Sequence, residues 1–281
     1  MAYRKGYIMF LTKKAFWKIL IMALCYIFLG SVFVALSFVY SVVYSTSDTV
    51  FFVMGVLMYI LCPLIALLGY YSEAKAKHVN LANKLVRNEL KPAEFIKHYE
   101  QLRRSPDLMV KKPSFELLYM AVMAYDALDD REKSLLTADE MIALGEKKRM
   151  QAQLVKASLM FSYDMKDEAE ALFDSIRNQK KGLMAHALCD NILKSDRAMA
   201  MGDYKTVESY CLKALEQSFP KLDNLSKIIM NFKLGEIYRR MNETQSAVER
   251  YRYCIANGGE TAIVRASARA MREISGTHGA E

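Results

Sequence analysis

Between Ile19 and Tyr71 the chain carries a single charged residue, Asp48. No other feature of its 281 residues constrains the fold as strongly. The first apolar run, ILIMALCYIFLGSVFVALSFVYSVVY, covers 19–44, and the second, VFFVMGVLMYILCPLIALLGYY, covers 50–71. As helices, at about 1.5 Å per residue, they reach roughly 39 and 33 Å, enough to cross a hydrocarbon core of about 30 Å. The polar STSDT at 45–49 turns the chain between them. Two transmembrane helices in a hairpin are predicted over 19–71. The first run far exceeds the usual ~7–15 apolar residues of a signal peptide, and no obvious cleavage site ends it, so it is read as retained.

Charge sets the orientation. The net charge is +8, of which residues 1–71 carry +4, residues 72–114 carry +5 and the remainder −1. Lys and Arg crowd both outer ends of the hairpin, while the connecting loop has none. By the positive-inside rule both termini face the cytoplasm, with a bacterial plasma membrane as the expected location. The basic excess sits beside the apolar runs, where anionic lipid is a simpler partner than nucleic acid. Neither run contains Asp, Glu, His, Lys or Arg, so no ion relay is expected in the hairpin. Gly30, Ser31, Ser37, Ser41 and Gly55 let helices approach closely. The hairpin reads as an anchor.

Four regions follow: a basic cytoplasmic tail at 1–18, the two spans at 19–44 and 50–71, a basic juxtamembrane helical segment at 72–112, and a helical domain at 113–281. No stretch after Ser72 alternates at period two. Pro92 and Pro113 mark helix starts, because proline lacks an N–H that would be unpaired there anyway. Further helices are expected near 114–128, 131–144, 147–164, 167–179, 182–201, 204–217, 222–241, 243–256 and 260–274. Aligning the second helix of each pair places Ser134, Ala169, Val207 and Ala247 in equivalent positions, spaced 35, 38 and 40 residues apart.

The stretch KLGEIYRRMNETQSAVERYRYC, Lys233–Cys254, resembles a tetratricopeptide repeat. Leu234, Gly235 and Tyr238 match its first helix; Ala247, Tyr251 and Cys254 match the small–aromatic–small pattern of its second. Weaker copies are GDYKTVESYCLKAL, with Val207, Cys211 and Ala214, and KDEAEALFDSI, with Ala169, Phe173 and Ile176. The resemblance covers 113–275. It implies a TPR-like α-solenoid of about four helix pairs, which with the N-terminal transmembrane hairpin read from the apolar runs makes an all-α chain. In such arrays one pair cannot bury its apolar face alone, and stacking creates a continuous core. The final helix, ETAIVRASARAMREI, is read as a cap. The resemblance also implies a partner groove lined by first helices, at Phe161, Asp196, Met199, Phe232, Glu236, Arg239 and Arg240. Phe232 beside Arg239 or Arg240 offers an apolar anchor next to cations, suited to a peptide or helix.

Signals for chemistry are sparse. There is no GxxxxGK[ST], no GxGxxG after a strand, no HExxH and no GxSxG. Five dispersed cysteines, none in CxxC spacing, read as buried thiols in a reducing compartment. The histidines at 78, 98, 186 and 278 are scattered. His186, Cys189 and Asp190 share one predicted helix face, but no second cluster completes a metal site. No catalysis, cofactor or metal is expected. The expected partners are a protein or peptide at the groove, and membrane lipid along 19–71 and its basic flanks.

Overall fold

The structure is a computed structural model that describes residues 17, 20, 21, 24–39, 42, 53, 56, 57, 61, 69, 72, 73, 75–104, 113–177, 195–216 and 222–277. Most of the second predicted span therefore lies outside the described residues. Of the first, 24–39 are one continuous helix. Among the described residues no helix is long and apolar enough to cross a membrane. Two compact units result, Met1–Lys77 and His78–Glu281. Among the described residues all regular structure is helical, so the chain is all-α.

In the second unit, helical residues 78–82 widen into a π-helical turn at Asn83–Asn88, followed by α1 (Pro92–Arg103). Then come α2 (Phe115–Ala127), α3 (Arg131–Ala143), α4 (Glu146–Ser162) and α5 (Lys166–Arg177). Residues 195–200 are helical and precede α6 (Tyr204–Glu216), α7 (Asn224–Arg240), α8 (Thr244–Asn257) and α9 (Ala262–Thr277). Local chemistry accounts for several starts. Pro92 opens α1. Side chains of Ser114, Asp130 and Asp223 cap α2, α3 and α7 by accepting the N–H of Leu117, Lys133 and Ser226 at 3.2, 3.3 and 2.7 Å.

Four turns are built alike. Asp129, Asp164, Gly202 and Asn242 take left-handed backbone with φ of 63, 65, 79 and 61°. In each turn the following N–H bonds a carbonyl five residues back, Asp130 to Tyr125, Met165 to Met160, Asp203 to Ala198 and Glu243 to Tyr238, at 2.8–2.9 Å. That bond closes the end of the preceding helix and satisfies one of its orphan carbonyls. Five residues beyond each left-handed position stand Ser134, Ala169, Val207 and Ala247, all 0% exposed. The small residues aligned by sequence thus occupy one structural position four times.

Consecutive helices pack: α2 on α3, α3 on α4, α4 on α5, α6 on α7, α7 on α8 and α8 on α9. The interior falls into three apolar clusters. One lies around α2 and the 82–102 region, one around α6–α9, and a smaller one between α4 and α5. Two helices approach closely at Gly235, where an added Cβ would lie 2.7 Å from the Tyr251 ring.

One contact departs from a plain stack. The π turn packs against α1, α2 and also α7, far away in sequence. Asn224 Nδ2 donates to the Asn88 carbonyl at 2.7 Å, and the Glu260 N–H donates to the Leu90 carbonyl at 3.0 Å. Arg87 pairs with Asp223 at 3.7 Å. The segment before α1 is thus part of the second unit's core, with Ala82, Leu85 and Val86 buried beside Leu225 and Ile228.

Gly235→Ala is expected to cost about 1–3 kcal/mol through overpacking against a fully buried ring. Chemical unfolding of the full chain, followed by far-UV circular dichroism, measures it. In the Tyr251→Ala background the same substitution is expected to cost clearly less.

Candidate functional site

The seven residues expected to line a groove do not all come together. Phe161 is only 5% exposed and belongs to the α4–α5 cluster, so its side chain is core. Met199 is partly buried against the α6–α9 cluster. Asp196 lies in a polar row across successive first helices. Phe232, Glu236, Arg239 and Arg240 are together on α7.

The polar row begins at α2 and ends at α7. Tyr163, just after α4, donates its hydroxyl to Asp126 Oδ1 of α2 at 2.7 Å. Ser158 of α4 donates to Asp196, and the Lys233 ammonium of α7 bonds the other oxygen of the same carboxylate. These three contacts join residues 37, 38 and 37 apart, close to one repeat. Side-chain exposure is 5% for Asp196 and 18% for Lys233, so the ion pair is largely desolvated.

Electrostatics follow from that burial. Desolvation raises the Asp126 carboxyl above its ordinary value, more than the Tyr163 hydrogen bond lowers it. Burial alone would lower Lys233, but the Asp196 carboxylate outweighs it and holds the ammonium above its usual value. The neighbouring Cys211 thiol is pushed up by burial to about 11, which keeps it protonated and unreactive.

On α7 the cations are already engaged. Glu236 accepts the Tyr251 hydroxyl at 2.6 Å and Arg239 Nη2 at 3.0 Å. The second terminal nitrogen of Arg239 reaches Glu273 of α9 at 3.4 Å, and its Nε is buried without a hydrogen-bond partner among the described residues. Arg240 is exposed and lies over the Tyr204 ring, 5.5 Å from its centroid. Phe232 is half-buried, its ring 6.2 Å from that of Tyr251. Arg240 therefore offers the most accessible charge of this group, while Arg239 mainly ties α7 to α9.

Several basic residues between 84 and 104 are paired as well. Lys84 and Lys91 flank Glu89 at 3.3 and 3.6 Å, Arg103 meets Glu140 at 2.7 Å, and Arg104 meets Glu100 at 3.8 Å. Exposed pairs of this kind contribute little to stability. Cys211 and Cys254 are free and buried as expected, whereas Cys25 is exposed. His186, Cys189 and Asp190 lie outside the described residues. Among the described residues no three metal-ligating side chains come together.

Asp196 was within reach of sequence reasoning, but its partners Ser158 and Lys233 were not singled out. The signal is the offset: polar residues one repeat apart on successive first helices. The meeting of His78 and His98, at 3.2 Å between ring nitrogens, had no such signal.

Lys233→Met leaves the Asp196 carboxylate buried and uncompensated, and is expected to cost about 3–5 kcal/mol in chemical unfolding of the full chain. Replacing Asp196 and Lys233 together by Leu is expected to recover most of that loss. Asp126 acts differently with pH. Its folded-state pKa is raised above 3.8, so its contribution is fully present below pH 3.8 and is lost as pH rises through the folded value. Asp126→Asn is therefore expected to gain stability relative to the parent between pH 4 and pH 8. Unfolding at pH 4, 6 and 8 measures the trend.

No protein-family model, no curated protein and no solved structure matches this chain.

Proposed function

We propose that the chain is a membrane-anchored, cytoplasm-facing scaffold: a two-helix hairpin holds a TPR-like α-solenoid that recruits another protein or peptide. The observation that carries this reading is the fourfold turn. The same left-handed residue, the same closing hydrogen bond and the same fully buried small residue recur at spacings of 35, 38 and 40. Recurrent helix pairs of this kind present long side-by-side surfaces rather than a closed cavity, a form suited to extended ligands. No catalytic or cofactor role is part of the proposal.

The anchor rests on the first unit. Along the helix 24–39, Phe28 and Phe38 are 70% and 72% exposed, with Leu24, Leu36 and Val39 also exposed. Apolar surface on this scale demands a cover, and lipid is the cover that an uncharged run requires. Gly30 and Ser37, seven residues apart on the same helix, are buried instead. Small residues buried on one helix suit close helix approach and favour a second reading: an accessory subunit of a membrane enzyme or transport complex, its hairpin set among other spans.

Within the scaffold reading the contact surface is the α7 end, where Arg240 and Phe232 keep exposed area beside Tyr204 and Met199. Crosslinking pull-down from native membranes distinguishes the two readings. It compares the full chain, a chain with 19–71 exchanged for an unrelated two-helix anchor, and an Arg240→Ala/Phe232→Ala chain of unchanged helicity. A partner retained after the anchor exchange and reduced at least about tenfold by the α7 substitutions supports the scaffold. A partner lost with the native hairpin, and indifferent to α7, supports the subunit.

A further inference from the structure

We propose that the outward face of α9 is a docking surface for anionic lipid headgroups. Arg265, Arg269 and Arg272 stand four and three residues apart on this helix, and all three are exposed. At 3.6 residues per turn they fall within about 60° of one another and run roughly 10 Å along the axis. Glu273 is the one acid of α9, and it is held by Arg239 of α7 at 3.4 Å. Among the described residues none of the three arginines meets a carboxylate; Arg272 Nε donates to the Ala268 carbonyl of its own helix at 3.4 Å. Residues 115–281 sum to a net charge of −1, so the row is a local concentration on a nearly neutral region.

The opposite face of the helix is taken. Ala270, Met271 and Ile274 pack into the α6–α9 cluster, and Ile263 packs against the cluster around α2. The helix therefore has no apolar side left to insert into a bilayer and meets it by charge alone. Its other exposed described residues, Glu273 and Ser275, are polar as well. Without an exposed apolar anchor the face lacks what a protein hot spot needs. Guanidinium forks do bind phosphate oxygens through two parallel hydrogen bonds, and a headgroup layer presents many such oxygens in one plane.

Placement points the same way, on the membrane-anchored reading given above. Six residues separate Tyr71, the end of the second apolar run, from His78, where the second unit begins. Seven Cα steps of about 3.5 Å keep His78 within roughly 25 Å of the end of that run. Within the unit, α9 starts against the segment nearest the run in sequence. The Glu260 N–H donates to the Leu90 carbonyl at 3.0 Å, and an added Cβ at Gly259 would lie 2.8 Å from Leu90. The anchor thus supplies headgroups at high effective concentration. Three arginines add an attraction that decays over about 8 Å at physiological salt.

The test reconstitutes the full chain into vesicles of phosphatidylcholine alone or with about 30% phosphatidylglycerol. Ser275→Cys on α9 carries a fluorophore in a background without the five native cysteines, and headgroup nitroxides are the quencher. Quenching is expected with phosphatidylglycerol. It is expected to fall to the phosphatidylcholine level in Arg265→Gln/Arg269→Gln/Arg272→Gln, and in about 1 M salt, where screening acts within ~3 Å. Arg265→Lys/Arg269→Lys/Arg272→Lys is expected to retain most of it. Arg149→Gln/Lys205→Gln/Lys213→Gln removes the same charge from other exposed positions and is expected to leave it unchanged. If an alkaline wash releases the chain, the anchored reading fails and the row is tested by flotation of the released chain with the same vesicles. Flotation that needs phosphatidylglycerol and drops at least about tenfold in the α9 glutamine variant upholds the surface. Quenching or flotation that is indifferent to phosphatidylglycerol, survives the α9 glutamine substitutions, or falls equally in the control variant overturns it. So does a crosslinked acidic protein that those substitutions release while lipid composition has no effect, which assigns the row to a protein instead.

Discussion

The turn that ends each first helix is the element on which the rest of the second unit depends. A left-handed residue at Asp129, Asp164, Gly202 or Asn242 lets the next N–H reach back to a carbonyl five residues earlier. That bond fixes where the following helix starts, and therefore which of its residues faces back. The residue brought inward is Ser134, Ala169, Val207 or Ala247, and nothing larger than valine stands there. Small size at that point sets how near the paired helices approach. Tyr251 then fills the space over Gly235, and its hydroxyl is satisfied by Glu236. Backbone geometry, side-chain volume and polar pairing agree at one place, the consistency expected of a well-specified fold.

Contacts between pairs build on that register. Asp126–Tyr163, Ser158–Asp196 and Asp196–Lys233 all cross about one repeat. Buried ions of this kind add little net stability, because desolvation offsets most of their attraction. Their value lies in register: a slipped pair would strand a charge in the interior. The π turn adds a contact that a simple stack lacks, tying the region before α1 to Asp223, Asn224 and Glu260.

Local features were the legible ones. Helices expected at 131–144, 204–217 and 222–241 are found at Arg131–Ala143, Tyr204–Glu216 and Asn224–Arg240, because Pro, Gly, Asp and Asn mark their ends. The alignment of Ser134, Ala169, Val207 and Ala247 was legible for the same reason, since each follows a turn residue at a fixed distance. Phe161 shows where this stops. A helix packed on two sides carries apolar residues on both, and its sequence does not say which side is left open. Phe161 turned inward, 5% exposed. The pairing of His78 with His98 and of Asn88 with Asn224 was illegible because each depends on a corner that only tertiary packing closes. The α7 cations were found in sequence but not their partners: Glu273 lies one helix beyond the repeat that was matched.

Position relative to the membrane is the central proposal. It rests on an uncharged run with exposed phenylalanines and on cations gathered at the hairpin's outer ends. Single-cysteine labelling in intact cells and in inverted membrane vesicles addresses it directly, with cysteine placed at Ser47 or at exposed Lys205 in a background without the five native cysteines. The result expected is labelling of position 47 from outside the cell and of position 205 only in inverted vesicles. Labelling of position 205 from outside, or release of the whole chain from the membrane by an alkaline wash, would contradict the account.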